Sequence, residues 1–155
     1  RLRSQFYARV QREGSDLDGR LSYDLDGTLS GNWFAEDLPV ASSSTNDISV
    51  GGRQLAFARD VRHPDRQRVS IGGFGFTGLY GVPPDAPDFA AVSPATGPVV
   101  YRLLEMGEPA GPPGTRQLAL LLIQLLDTRR LRVEVVFDQN APTASFSSSA
   151  AIYVR

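Results

Sequence analysis

Leu118-Ala119-Leu120-Leu121-Leu122-Ile123-Gln124-Leu125-Leu126, then Asp127-Thr128-Arg129-Arg130, then Leu131-Arg132-Val133-Glu134-Val135-Val136-Phe137 is the stretch on which the fold turns. In the second run Leu131, Val133, Val135 and Phe137 alternate with Arg132, Glu134 and Val136. That is the period of a half-buried strand. The first run is apolar almost throughout. Leu, Ala and Gln favour helices, so a helix from Thr115 is the rival reading. The return strand favours an extended Leu118–Leu126, and the two runs then form a hairpin. A four-residue loop, 127–130, pairs Leu126 with Leu131, Leu122 with Val135 and Leu120 with Phe137. This register turns Leu118, Leu120, Leu122 and Leu126 inward and Ala119, Leu121, Ile123 and Leu125 outward. Monomeric proteins rarely leave such an aliphatic patch uncovered. The expectation is a homodimer through Leu121, Ile123 and Leu125, with Pro83–Pro113 folding back over the patch as the alternative cover.

Alternation continues outward from this hairpin. Pro83–Pro113 holds eight of the eleven prolines and reads as loop around one strand-like island, Val99–Leu104. Leu55, Phe57 and Val61 lead to the loop Arg62-His63-Pro64-Asp65-Arg66, and Val69 and Ile71 return in the same parity. Gly72–Gly81 carries five glycines around Phe74, Phe76 and Tyr80, which suits a bent or bulged strand. Leu21, Tyr23, Leu25, Gly27, Leu29, Gly31 and Trp33 take every odd position. A loop over Asp26–Thr28 pairs Leu25 with Leu29 and Leu21 with Trp33; one long strand bent at Gly27 is the alternative. Phe6, Ala8 and Val10 alternate as well, and a last strand covers about Ser147–Val154. Eight to ten short strands and no convincing helix predict one all-β domain over residues 1–155. It reads as an antiparallel up-and-down barrel, with a β-sandwich as the alternative.

Composition removes several chemistries. The 155 residues include 16 basic and 17 acidic side chains, for a net charge of −1, so no global attraction to nucleic acid is expected. There is no cysteine and no lysine, and His63 is the single histidine. Thiol nucleophiles, Cys-ligated metals, Schiff-base lysines and P-loop lysines are therefore excluded. No apolar run reaches the roughly 18 residues of a membrane span. The chain begins at Arg1 rather than Met, which suggests a trimmed or mature form and slightly favours an extracytoplasmic location.

Several motifs carry chemistry elsewhere but not in this setting. Asp24-Leu25-Asp26-Gly27-Thr28-Leu29 matches the nucleophile motif of haloacid-dehalogenase-type phosphatases. In that family the motif ends a buried parallel strand, which should be continuously apolar. Here the preceding residues alternate and no helix follows, so a turn is expected. Gly73-Phe74-Gly75-Phe76-Thr77-Gly78 spells a dinucleotide string without the helix that would hold a pyrophosphate. Asp16, Asp18, Asp24 and Asp26 lack the spacing of a calcium loop and read as solvated turn carboxylates. His63, before a proline, reads as a turn residue rather than a general base. No catalytic residue, metal site or cofactor is expected. Arg59, Arg66 and Arg68 could hold an anion at one hairpin end, against the alternative of a solvated tip.

Gly31-Asn32-Trp33 resembles the glycine-x-tryptophan signature of the calycin barrels, the lipocalins, avidins and relatives. The resemblance implies that Trp33 plugs one barrel end and that a late arginine, Arg132 or Arg155, stacks on it. The family carries the motif in its first barrel strand, whereas here at least one strand is expected before it. The implied function is binding of a small apolar or amphipathic molecule in the mouth or lumen, with Tyr23, Trp33, Phe57, Phe76 and Tyr101 as lining residues. The alternatives are a structural or interaction protein with a packed barrel, and a barrel enzyme using Asp or Glu with Arg or Tyr. Lumen volume separates the first two: an empty lumen of several hundred Å3 favours binding, a filled one favours interaction.

Overall fold

The computed structural model describes residues 2–10, 24–38, 53–106 and 113–155. Eight strands form a closed barrel: β1 (Gly31–Ala35), β2 (Gln54–Arg59), β3 (Gln67–Ile71), β4 (Gly78–Gly81), β5 (Val99–Met106), β6 (Pro113–Leu125), β7 (Arg130–Val136) and β8 (Ala151–Val154). Each strand pairs antiparallel with its sequence neighbours, and β8 returns to β1 through Phe34↔Val154 and Ala35↔Tyr153. The topology is up-and-down, and closure leaves no sheet edge. Among the described residues no helix is long and apolar enough to cross a membrane.

Inward positions follow the period of two. Trp33 and Ala35, Leu55 and Phe57, Val69 and Ile71, and Leu131 and Val133 alternate into one core. The β2–β3 hairpin has the expected parity, with Leu55 opposite Ile71 and Phe57 opposite Val69.

The β6–β7 hairpin is extended, but its register differs by one residue from the sequence reading. Leu125 lies opposite Leu131, Ile123 opposite Val133 and Leu121 opposite Val135. The Leu126 N–H donates to the Arg130 carbonyl at 2.9 Å, so the loop holds three residues, 127–129, rather than four. One residue of slip exchanges the two faces of a strand. Leu121, Ile123 and Leu125 therefore lie in the core and are at most 2% exposed, so the outer patch proposed as a dimer contact is not there. The proline-rich segment meets β6 at Pro94–Thr96. Residues 138–150 fold back along β6 and β7: the Gln117 side chain donates to the Asp138 and Ala141 carbonyls, and Glu134 accepts from the Ser147 N–H and hydroxyl.

Two other segments depart from expectation. Residues Leu2–Tyr7 form a short helix, α1, not a strand. A lone extended segment would leave its backbone groups unpaired, whereas local bonds such as Ala8 N–H to the Ser4 carbonyl need no partner. Residues 24–30 form a turn: Leu25 N–H bonds the Ser30 carbonyl and Thr28 N–H the Leu25 carbonyl, so Leu25 does not pair with Leu29. The Gly31–Ala35 strand is thereby the first of the barrel. The expected pairing of Leu21 with Trp33 falls on residues outside those described, since 21–23 are not among them.

One end of the barrel is sealed. Trp33 is fully buried and donates its indole N–H to the Leu29 carbonyl at 2.9 Å. The Arg155 guanidinium sits 3.9 Å above the indole ring and donates to the carbonyls of Leu25, Thr28 and Ser30. Of the two candidate arginines it is Arg155 that stacks on Trp33; Arg132 lies over the Phe146 ring. The β4–β5 connection completes the seal. Its Val92 carbonyl accepts from Leu29 N–H, and Gln67 fixes it from both sides, accepting from Phe89 N–H at 2.7 Å and donating to the Pro87 carbonyl. This drives Phe89 into the lumen, edge-on against Phe57 and Tyr101, each with ring centroids 5.3 Å away.

Candidate ligand site at the barrel mouth

Trp33, Phe57, Phe89 and Tyr101 are at most 1% exposed and pack within one cluster, so among the described residues this part of the lumen is filled. Tyr101 spends its hydroxyl on the Pro87 carbonyl at 2.9 Å. Trp33, Phe57 and Tyr101, read from the sequence as ligand-lining, are thus brought together as core. Tyr23 lies outside the described residues. Phe76 alone of that set stands at the other end, stacked on Tyr80 with centroids 4.5 Å apart.

That other end holds an open cleft of about 390 Å3. Four parts of the chain build it. The end of β1 contributes Ala35, Glu36 and Asp37; the residue before β2 contributes Arg53; the β3–β4 loop and β8 contribute Phe74, Ala151 and Tyr153. Phe74 stacks on Tyr153, with centroids 5.6 Å apart and planes 20° from parallel. Arg53 pairs with Asp37, and Arg130 pairs with Glu36 at 3.1 Å, so the rim carries both signs of charge in balance. The arginine lowers the Asp37 pKa chiefly through their hydrogen bond. Burial pushes the Tyr153 hydroxyl up to about 12, with Arg53 opposing and Asp37 reinforcing the rise. Tyr153 therefore presents a protonated O–H at neutral pH, beside a charged pair and under an aromatic face.

The raised Tyr153 pKa carries a pH prediction. Below the unfolded value near 10 both states are protonated and the stability is complete. Between there and about 12 only the unfolded chain ionises, so stability falls as pH rises. Denaturant midpoints measured along an alkaline series should show this loss, and Tyr153→Phe should reduce its slope.

The arginines considered for anion binding occupy a different place. Arg59 pairs with Asp88, and with Arg66, Asp65 and Gln67 it lines a cleft of about 210 Å3. Arg68 does not line it. It is 4% exposed and holds Asp60 through Nε and a terminal nitrogen, each at 3.0 Å. Burial alone would raise the Asp60 pKa, but the N–H groups of Arg62 and His63 together with Arg68 bring it below its ordinary value. A lowered carboxyl stabilises the fold above the unfolded value, near 4, and that contribution is lost as pH falls through the folded value. Asp60→Asn should flatten the acid side of the stability profile. At neutral pH it should cost about 3 kcal/mol in urea denaturation, because Arg68 stays buried opposite a neutral group.

The other motifs resolve structurally. Asp24, first residue of the phosphatase-like string, accepts from the Asn32 N–H at 2.7 Å and from its side-chain amide. It presses against Gly31, whose φ of +124° and lack of a Cβ permit that approach. The dinucleotide-like string is the β3–β4 turn and the first residue of β4, not a bulged strand. Among the described residues no three or more acidic or histidine side chains gather as a metal site. Sequence reasoning missed Phe74, Tyr153, Arg53 and Asp37 at the mouth and Gln67 and Phe89 at the base. The available signals were the glycines flanking Phe74 and the single large aromatic in the segment Pro83–Ala91.

Compared with known proteins, the chain matches no family model, no curated protein and no solved structure.

Proposed function

We propose that this barrel binds a small amphipathic molecule in the cleft at its mouth, not in the depth of its lumen. The observation that carries the reading is the cleft itself: about 390 Å3, within the range of small-molecule sites, with a stacked aromatic wall and converging polar groups. The apolar part of the ligand meets the Tyr153 ring, Ala35 and Ala151. Its polar part meets Arg53, Asp37 and the Tyr153 hydroxyl. The resemblance to calycin barrels supports the reading, since Trp33 under Arg155 marks a sealed base and leaves the opposite end for a ligand.

A second reading is a structural or interaction module. The filled lumen favours it, because Phe57, Phe89 and Tyr101 leave no room among themselves for a guest. Calorimetric titration with short amphipathic acids and alcohols separates the two. The binding reading expects at least one to bind, and Ala151→Trp, which fills the cleft, to remove that binding while the thermal midpoint shows the barrel still folded. Binding that survives Ala151→Trp, or no binding across the panel, overturns it.

A further inference from the structure

The β3–β4 loop, residues 72–77, crosses the mouth to the far wall. In the order of the barrel, β7 and β8 stand opposite β3 and β4. Phe74 reaches Tyr153 on β8, and Phe76 reaches Phe137, just past β7, edge-on at 5.0 Å. The backbone that delivers these rings is costly. Gly73, Phe74 and Gly75 have φ values of +99°, +56° and +67° in succession. Phe74 is the one non-glycine residue with positive φ among the described residues. An aromatic residue is disfavoured in that region by the crowding of its Cβ. The stacking contact with Tyr153 offsets the strain, yet the Phe74 ring stays only half-buried. Beside it the walls are Ala35 and Ala151, too small to close the mouth themselves.

We propose that Phe74 is a placeholder, and that the mouth takes a flat aromatic ring which displaces it from the face of Tyr153. The polar substituent of that ring lies at Arg53 and Asp37. The proposal rests on the mouth being the binding site and adds the class of ligand and the way it enters. A flat ring recovers the stacking that Phe74 gives up, because Tyr153 offers a face already used in near-parallel geometry. An aliphatic chain recovers only apolar contact. The two glycines let the loop swing without moving β3 or β4.

The experiment is calorimetric titration of the wild type, Phe74→Ala and Phe74→Leu with 2-naphthoate and with decanoate. The wild type binds 2-naphthoate more tightly than decanoate. Phe74→Ala binds 2-naphthoate about fivefold more tightly than the wild type, because the competing ring is gone. Phe74→Leu shows a smaller gain in the same direction and serves if the alanine variant does not fold. Weaker or unchanged 2-naphthoate binding in the folded variants overturns the placeholder. Decanoate bound better than 2-naphthoate overturns the ligand class while leaving the mouth as a binding site. If neither probe binds any of the three proteins, and no other amphipath does, the mouth reading fails together with this one.

Discussion

Leu121→Glu is expected to abolish folding. Leu121 is fully buried in the barrel core, opposite Val135 on one side and Tyr101 on the other. Among the described residues the core cluster around it holds no cation, and the interior can relieve a carboxylate there only by keeping it protonated or by letting water in. A single domain has about 5–15 kcal/mol of stability, and an unpaired buried charge consumes a large part of it. Leu126→Glu, one residue past the strand and 42% exposed, should change stability by about 0.5 kcal/mol or less. Circular dichroism and urea denaturation of the two variants check the contrast. A folded, stable Leu121→Glu protein would instead fit the outward parity read from the sequence.

Trp33→Ala carries the second large effect. The side chain is fully buried beneath Arg155 and next to the turn 24–30. Its removal leaves a cavity at the sealed base and should cost about 3–5 kcal/mol. It also takes the stacking surface from Arg155, whose donors tie the chain end to the Leu25, Thr28 and Ser30 carbonyls. Trp33→Phe keeps most of the volume but loses the bond to the Leu29 carbonyl, and should cost roughly 1–2 kcal/mol. Because Trp33 is the only tryptophan, its emission reports the base directly. A blue-shifted maximum that moves red on unfolding is expected, and a maximum already at the aqueous position in the folded protein would contradict burial.

The barrel was legible in the alternation because an antiparallel sheet with one buried face writes its pattern into most of its strands. The parity of β6 was not legible, for a physical reason. Leu120 and Leu122 face away from the core yet are buried to 2% exposure or less, like their neighbours Leu121 and Ile123. A strand apolar on both faces carries no signal for which face is inside, so its register hangs on the length of one turn. That turn differs by a single residue, because Arg130 accepts from Leu126 and so belongs to the strand. Leu2–Tyr7 illustrates the converse, since alternation without a partner strand does not hold a chain extended.

The sites divide in the same way. Trp33 under a late arginine was readable from a short motif, which left Arg132 and Arg155 as alternatives; the closed barrel places Arg155 there. The mouth was not, because Phe74 and Tyr153 are far apart in sequence and meet only when the barrel closes. Phe57 and Tyr101 have the residue types of a ligand pocket but serve as core, because Phe89 enters from a loop and occupies the space between them. Which aromatics line a cavity and which fill one depends on that long-range insertion, not on local pattern.

The most direct measurement of the central claim is a two-dimensional NMR titration with 2-naphthoate, following backbone and aromatic signals together. If the mouth is the site, perturbations concentrate at Arg53, Gly73, Phe74, Ala151 and Tyr153, while Phe57, Phe89 and Tyr101 in the filled lumen stay unmoved. Perturbations centred on Phe57, Phe89 and Tyr101, with the mouth residues unchanged, would contradict the account.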